Sequence, residues 1–296
     1  MIDSATAQDA TDPFLQHRRL LFGTAYRMLG SVAETEDILQ DTWLRWSAVD
    51  RASVANPKAY LVKAVTNLAI NRLRSAQLRR EAYLGPWLPE PLLTAPDTAE
   101  EAVLADSVST ALLVVLETLG PVERAVFVLR EVFGYAHAEI AEVLGRPEPA
   151  VRQIAHRAKA HVRERRPRYD TDPEQRRRVT ERFMAACAGG DLSAVLELLA
   201  PDVVAWSDGG GIVSAARRPL YGPDHVARWL LGVLAKPAAQ GIVAEPAEVN
   251  GQLGVVFSYG GAPAGALTLD LVDGRIQALR AQLNPEKLAG LRPSAG

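Results

Sequence analysis

Residues 136–166 read AHAEIAEVLGRPEPAVRQIAHRAKAHVRERR, and the spacing within them decides how the rest of the chain is read. A helix-turn-helix needs a small residue where its two helices touch and a glycine at the sharp turn four residues on. It also needs an apolar residue six further along to lock the second helix. Ala141, Gly145 and Val151 stand at those positions, and Ile140, Leu144 and Ile154 supply the remaining interior contacts. The second helix then presents Arg152, Gln153, His156, Arg157 and Lys159 on its outer side. Arginine suits guanine edges and phosphate, glutamine suits adenine, and lysine is mainly a phosphate contact. An ordinary helical hairpin with a solvated basic face is the plainer alternative. It accounts for the charge but not for the coincidence of three special positions with three core positions. Pro147 and Pro149 replace the usual Ser or Thr cap. Proline in a first turn forfeits no hydrogen bond, so the second helix is still predicted.

A DNA-reading pattern is unexpected in a chain of formal net charge −2, but the charge is polarised along the sequence. Residues 146–168 hold eight basic side chains against two acidic ones, and residues 81–145 hold eleven acidic against two basic. Arg72, Arg74, Arg79 and Arg80 add a second basic cluster without an acid among them. Phosphate attraction is local, because charges beyond about 8–10 Å are screened in physiological salt. Two basic patches separated by an acidic segment are therefore compatible with DNA binding.

Length sets the frame for these patches. A chain of 296 residues exceeds one ordinary core, so two or three domains are expected. The longest apolar run, Ala111–Leu116, is far short of the roughly 20 residues of a membrane span. The start, MIDSATAQDATDPF, has neither the basic end nor the apolar block of a signal peptide, which points to a cytoplasmic protein with no membrane partner. A single cysteine, Cys187, excludes an intrachain disulfide and a cysteine-rich metal site. A buried helical thiol is the expected reading of Cys187, and no metal or cofactor is called for.

Residues 14–81 read as helical. Ser31 and Glu34 form a capping box ahead of AETEDILQDTWLRW, where Leu39, Trp43 and Trp46 face the core. Glu34, Asp37 and Asp41 make an acidic stripe on another side. Asn56 and Pro57 begin PKAYLVKAVTNLAINRLRSAQLRRE, with Leu61, Val65 and Leu68 as the buried stripe. Lys63, Asn67, Asn71 and Arg74 fall within about 80° of each other on that helix, with Ile70 interrupting the polar face. Residues 82–101 hold four prolines and four acids and no base, and read as a linker. Helix resumes over about 102–165, and RPRYDTDP marks a second boundary. Beyond it, two or three helices precede the strand-like runs IVAEPAEV, GQLGVVFSYG and GALTLDLVDGRIQALRAQLN, the last broken by an Asp273–Gly274 hairpin signal. That order predicts an α+β domain.

Two stretches ahead of the helix-turn-helix point away from a simple repressor. ETEDILQDTWLRW followed by NPKAYLVKAVTNLAINRLRS resembles the core-binding and −10-reading domain of group IV sigma factors, the extracytoplasmic-function class. GYAHAEIAEVLGRPEPAVRQIAHRAKAHV resembles their C-terminal DNA-binding domain. The remainder, with WLPEPL, SDGGG, ARRPLYG and NPEKL, is similar to the subgroup that carries a C-terminal SnoaL-like domain. The implied architecture is two all-α sigma domains, residues 1–81 and 102–168, followed by an α+β cone of the SnoaL-like, nuclear-transport-factor-like kind over 169–296.

The resemblance implies partners and roles. Core RNA polymerase would be met through its large-subunit clamp and flap, with Asp37, Gln40, Asp41, Leu44 and Arg45 docking on the clamp helices. An acidic stripe beside apolar residues suits a basic coiled-coil partner. Promoter DNA would be met at the −10 element by Lys63, Asn67, Asn71, Arg72 and Arg74, and at the −35 element by Arg152, Gln153, His156, Arg157 and Lys159. DRASVANPKAY would shape a pocket for a base flipped from the opened strand, with Tyr60 as a stacking platform or a core residue. Opening costs about 1–2 kcal/mol per stacked step, so unstacked bases must be captured. Arg72 also falls on the apolar side of its helix and has an internal partner as its alternative. The linker would run through polymerase channels meant for nucleic acid, its acids Glu90, Asp97, Glu100 and Glu101 favouring that path. The free chain is expected to be monomeric.

For the last domain the resemblance implies regulation in cis, with a conical pocket open to a small-molecule ligand. An isomerase-like site would want a carboxylate base in an apolar pocket with donors for an enolate. Asp208, Tyr221, Asp224, His225 and Tyr259 are available but form no constellation by spacing. Asp208, Gly209, Gly210 and Gly211 form a loop without side chains at its glycines, which reads as a tight strand connection or, as the subgroup resemblance implies, as a contact loop against the sigma domains. Ile212 follows where the subgroup has a basic residue, and Arg217 and Arg218 are the alternative source of charge. Two other readings stand beside the sigma factor: a ligand-responsive helix-turn-helix repressor, and a SnoaL-like enzyme fused to a DNA-binding module. Neither uses an acidic docking helix joined to a DNA-opening helix.

Overall fold

The computed structural model describes residues 12–81, 83–94, 109–165 and 172–291, with positions 76–81 and 238 as backbone only. The chain divides into two compact units, Met1–Glu81 with Val115–Arg165 and Ala82–Val114 with Arg166–Gly296. The proline-rich segment is thus grouped with the C-terminal region, where the sequence alone reads as a separate tether.

The first unit is helical. Helix α1 (Pro13–Leu29) is capped by Asp12, whose carboxylate accepts from Phe14 N–H at 2.8 Å and from the Trp46 indole at 3.1 Å. It ends at Gly30, which takes the left-handed conformation a side chain disfavours (φ 66°). Helix α2 (Val32–Ser47) is capped by Ser31, accepting from Glu34 N–H. Helix α3 (Pro57–Glu81) packs along α1, and Leu21, Met28, Leu29, Ile38, Leu61 and Val65 are buried in this first bundle. Leu68, predicted as interior, is half-buried, and Ile70 is buried instead.

After α4 (Thr110–Leu116), helix α5 (Pro121–Phe127) runs on through a wider π-type turn to Val132. Then come α6 (His137–Leu144) and α7 (Glu148–Arg165), joined at Gly145 with φ 60° and ψ 39°. Ile140 and Val151 are fully buried and Ile154 nearly so. Val143 takes the interior place expected of Leu144. Helix α6 has a second neighbour in α3, and Leu144 turns half-buried toward it.

The second unit places α8 (Pro173–Gly189), α9 (Leu192–Leu198) and α10 (Pro223–Leu234) with one mixed sheet. Its strands are β1 (Leu199–Asp208), β2 (Leu220–Tyr221), β3 (Ile242–Val249), β4 (Gln252–Tyr259), β5 (Ala262–Val272) and β6 (Arg275–Gln282), in the order β2-β1-β6-β5-β4-β3. β1 runs parallel to β6, and every other neighbouring pair is antiparallel. Asn250–Gly251, Gly260–Gly261 and Asp273–Gly274 all have φ > 0, the requirement of two-residue hairpin turns matched to strand twist. Register shifts in β1–β6, β4–β5 and β5–β6 mark irregularities of the kind that bend strands.

Side chains alternate across this sheet. One face, with Val203, Ala205, Leu267, Leu269, Leu279 and Ala281, packs with Val179, Phe183, Val195 and Val226 of the helices. The other face carries Trp206, Asp208, Thr268, Asp270, Arg280 and Gln282. On that side Val249, Ala266 and Val256 cluster with Leu93 from the proline-rich segment and with Leu288 and Leu291 from the C-terminal tail. Asp270 and Arg280 form a buried ion pair there, the guanidinium 5.1 Å from the Trp206 ring centroid.

Candidate functional site

The second helix of the helix-turn-helix carries its predicted face outward. Arg152, Gln153, His156, Arg157 and Lys159 are all exposed, and the first four line one shallow depression of about 380 Å³. Val151, Ile154, Ala155, Ala158 and Val162 occupy the buried side, so α7 is fixed in rotation by its apolar face. Arg152 is braced by Glu148 one turn earlier at 2.6 Å, and Lys159 by Glu131 at 2.8 Å. Both pairs are exposed and easily exchanged for phosphate. Pro147 replaces a side-chain cap: its carbonyl accepts from Ala150 and Val151 N–H at 3.0 and 3.2 Å.

On α2, Asp37, Gln40, Asp41, Leu44 and Arg45 are exposed together, Leu44 being 58% accessible. On α3, Lys63, Asn67, Asn71 and Arg74 are exposed. Arg72 and Tyr60 differ from these four. Arg72 reaches Asp37 at 3.3 Å, and Tyr60 lies half-buried with its ring 5.7 Å from Trp46. Arg79 and Arg80 lie outside the described side chains. Asn67, Asn71 and Arg74 share a cleft of about 200 Å³ with Arg146 of the α6–α7 turn.

The two helical regions of this unit are tied through buried arginines. Arg124 on α5 donates through Nε to the Arg27 carbonyl at 2.9 Å and pairs with Glu117. Arg27 donates to the Gly23 carbonyl at 3.0 Å and lies 5.2 Å from the Phe133 centroid. Burial disfavours the charge on both guanidiniums, lowering their pKa values.

In the second unit, Asp208 at the end of β1 is the centre of a buried polar cluster. Its carboxylate accepts from Tyr83 O–H at 2.6 Å, Leu88 N–H at 2.8 Å, Lys287 Nζ at 2.7 Å and Gly210 N–H at 3.1 Å. Lys287 also donates to the Leu88 carbonyl at 2.8 Å and sits 4.6 and 4.3 Å from the Tyr83 and Trp87 ring centroids. Asn284 donates to the Tyr83 oxygen at 2.9 Å. Burial, then the bond to Asp208, raises the Tyr83 pKa.

Further along, Asn250 accepts from Leu92 N–H at 2.6 Å, Thr94 pairs with Glu248 at 3.0 Å, and Leu93 bridges to Val249 at the free edge of β3. Residues 83–94 are therefore held along their length.

The glycines explain the close approach. A Cβ on Gly209 would meet the Val213 carbonyl at 2.6 Å, one on Gly210 the Asn284 amide at 2.3 Å, and one on Gly211 the Leu84 side chain at 3.0 Å. Gly210 and Gly211 also have φ 62° and 75°. The loop's partners are the proline-rich segment and the tail. Arg217 and Arg218 are exposed, and the Arg217 backbone passes 3.7 Å from where Gly85 would carry a Cβ.

Glu90, expected on an acidic tether, is buried in this packed segment. Asp97, Glu100 and Glu101 lie outside the described residues. Tyr83, Asn284 and Lys287 had no assigned role in the sequence, although NPEKL was the signal that contained two of them.

The residues considered for catalysis do not converge. Asp208 is saturated by four donors and points to the face opposite the helices. Tyr221 and Tyr259 are 65% and 60% exposed, and Asp224 starts α10 and pairs with Arg228 at 2.8 Å. Cys187 is half-buried against the helical core, and burial pushes its thiol up to about 12. Among the described residues no group of three His, Cys, Asp or Glu side chains has the arrangement of a metal site, and no helix is long and apolar enough to cross a membrane.

Comparison with known proteins adds to this geometry. Residues 14–79 match Sigma-70 region 2, and residues 109–162 match Sigma-70, region 4. The chain is 40% identical over 286 residues to the ECF RNA polymerase sigma factor SigJ of Mycobacterium tuberculosis (strain H37Rv), covering 92% of this chain and 91% of that protein. It is 34% identical over 285 residues to the probable ECF RNA polymerase sigma factor SigI of the same organism, covering 95% of each. The crystal structure of the Mycobacterium tuberculosis extracytoplasmic function sigma factor SigJ superposes with a TM-score of 0.75 at 38% identity, covering 92% of this chain and 96% of that one.

Proposed function

The chain belongs to the extracytoplasmic-function sigma factors of the sigma-70 family, and from that premise we propose how its residues divide the work of promoter recognition. Its function is that of an RNA polymerase sigma factor, binding core enzyme and promoter DNA. The exposed face of α2, with Asp37, Gln40, Asp41, Leu44 and Arg45, docks on the large-subunit clamp. The helix-turn-helix region meets the flap. Lys63, Asn67, Asn71 and Arg74 contact the −10 element. Arg72 and Tyr60 position that surface through Asp37 and Trp46. Arg152, Gln153, His156 and Arg157 read the −35 element, and Lys159 contacts phosphate.

The observation that carries this reading is the pairing of an exposed acidic helix bearing Leu44 with a separate exposed basic recognition helix. In vitro transcription with purified core enzyme tests it. Leu44→Ala with Asp41→Arg should abolish initiation and co-elution with core. Arg157→Ala should spare co-elution and weaken promoter-dependent initiation about tenfold. Full initiation by the first variant would overturn the docking assignment.

The C-terminal domain acts in cis and is not an enzyme. A general base must have a free lone pair facing substrate, and Asp208 commits its oxygens to four donors. Holding residues 83–94 sets how the segment between the two DNA-contacting regions is presented. Two weak DNA contacts gain selectivity through their effective concentration, which depends on the length and freedom of what joins them.

A further inference from the structure

The cleft shared by α3 and the α6–α7 turn joins part of the proposed −10 surface to Arg146, a residue that promoter reading does not use. Its polar lining is Arg74, Arg146, Asn67 and Asn71, and its apolar wall is Ile70, Val122 and Leu144. Among the described residues no carboxylate lines it. Three other exposed arginines of the same unit face acids: Arg18 with Glu36, Arg51 with Asp12, Arg152 with Glu148. Arg74 instead makes a long hydrogen bond to Asn71 at 3.4 Å, and Arg146 makes a backbone bond to Ala141. Two cationic forks thus share a space of about 200 Å³ whose described lining holds no anion to balance them.

We propose that this cleft binds the phosphate group of a small phosphate-bearing molecule. A guanidinium presents its donors in a planar fork that matches phosphate oxygens, and two such forks offset their mutual repulsion by sharing one anion. The carboxamides of Asn67 and Asn71 supply further donors. The cavity is below the roughly 300–1,000 Å³ of an ordinary drug-sized site, which suits a phosphate group with a small appendage. The apolar wall gives that appendage a place to pack. Because α3 and the turn each contribute one arginine, the occupant bridges them and favours the arrangement in which they face each other. Asn67, Asn71 and Arg74 also belong to the proposed −10 surface, so the occupant and the promoter compete, each weakening the other by the same factor.

Isothermal titration of the full-length chain, without polymerase or DNA and with ionic strength held constant by NaCl, tests the site independently of promoter reading. Inorganic phosphate, pyrophosphate and a nucleoside monophosphate are the probes. One saturable site per chain is expected, with Arg74→Gln and Arg146→Gln each weakening it about tenfold or more. Arg178→Gln, an exposed arginine of the other unit, should leave it unchanged. Circular dichroism confirms that each variant is folded. Tighter binding of the nucleoside monophosphate assigns the apolar wall to its organic part, and equal affinities assign the site to the inorganic anion. Absence of saturable binding by all three probes, or binding indifferent to both arginine replacements, overturns the proposal.

Discussion

Lys287 shows how much one side chain carries in the C-terminal unit. Its ammonium joins Asp208 to the Leu88 carbonyl while two aromatic rings cover it. Lys287→Met removes the charge and leaves a buried carboxylate with three neutral donors. A loss of about 3–5 kcal/mol is expected for breaking a buried pair on one side. Thermal unfolding together with limited proteolysis around residues 83–94 measures it, and an unchanged midpoint and cleavage pattern would count against the cluster's role. Cys187 offers a second measurement. Its thiol, pushed up by burial to about 12, is neutral in the folded chain well above the pH at which an unfolded thiol ionises. Its stabilising contribution is therefore complete below the ordinary thiol value of 9.0 and lost as pH rises through about 12. At pH 8, iodoacetamide should modify it about a thousandfold more slowly in buffer than in denaturant. Cys187 was legible as an inert thiol from its helical, apolar surroundings. Lys287 was not, because its partners Asp208 and Leu88 lie 79 and 199 residues away.

At the scale of elements, the helix-turn-helix was the most legible part of the chain, because its constraints are local and each falls on a residue type with few substitutes. Gly145 is the sharpest case. With φ 60° it adopts the conformation that costs other residues about 1–2 kcal/mol, so Gly145→Val should destabilise the helical unit by at least that much in chemical denaturation. The exposed face of α7 gives a finer prediction. Gln153→Ala should cost about 1–3 kcal/mol on the preferred −35 sequence and relax preference at one base pair. Lys159→Gln should weaken all sequences alike and reduce the salt slope by about one, read from binding of holoenzyme at several NaCl concentrations. Leu144 was misplaced for a physical reason. A helix with neighbours on two sides shows a broad apolar face, and periodicity alone does not say which neighbour a residue serves. Strands β3 to β6 were visible from alternation and from Asp273–Gly274. The parallel pairing of β1 with β6 was not, since nothing local records a partner about seventy residues away.

Across the whole molecule, the domain classes were legible and the course of residues 83–94 was not. A stretch with proline at 86, 89 and 91 forms no helix, which reads equally as free tether or as extended chain pressed on a surface. Only the match of Tyr83, Leu88, Leu92 and Thr94 with groups 120 to 201 residues away decides for the second. Truncation separates the two consequences. Ending the chain before Asn284 deletes Asn284, Lys287, Leu288 and Leu291, leaving residues 83–88 with Asp208 of β1 but without the tail residues that help hold them. Ending it before Tyr169 removes the sheet as well. Promoter-dependent transcription should differ between these two forms and from the full chain, and identical output from all three would remove regulation in cis. The hold on residues 83–94 also imposes an order on events during synthesis. Those residues leave the ribosome long before Asn284 and Lys287 exist, so every newly made molecule passes through an interval in which both DNA-contacting regions are complete and the restraint between them is not. Under the proposed regulation in cis, a prematurely terminated translation product would carry both DNA-contacting regions without that restraint, and slow codons late in the message would lengthen the interval without altering a single residue.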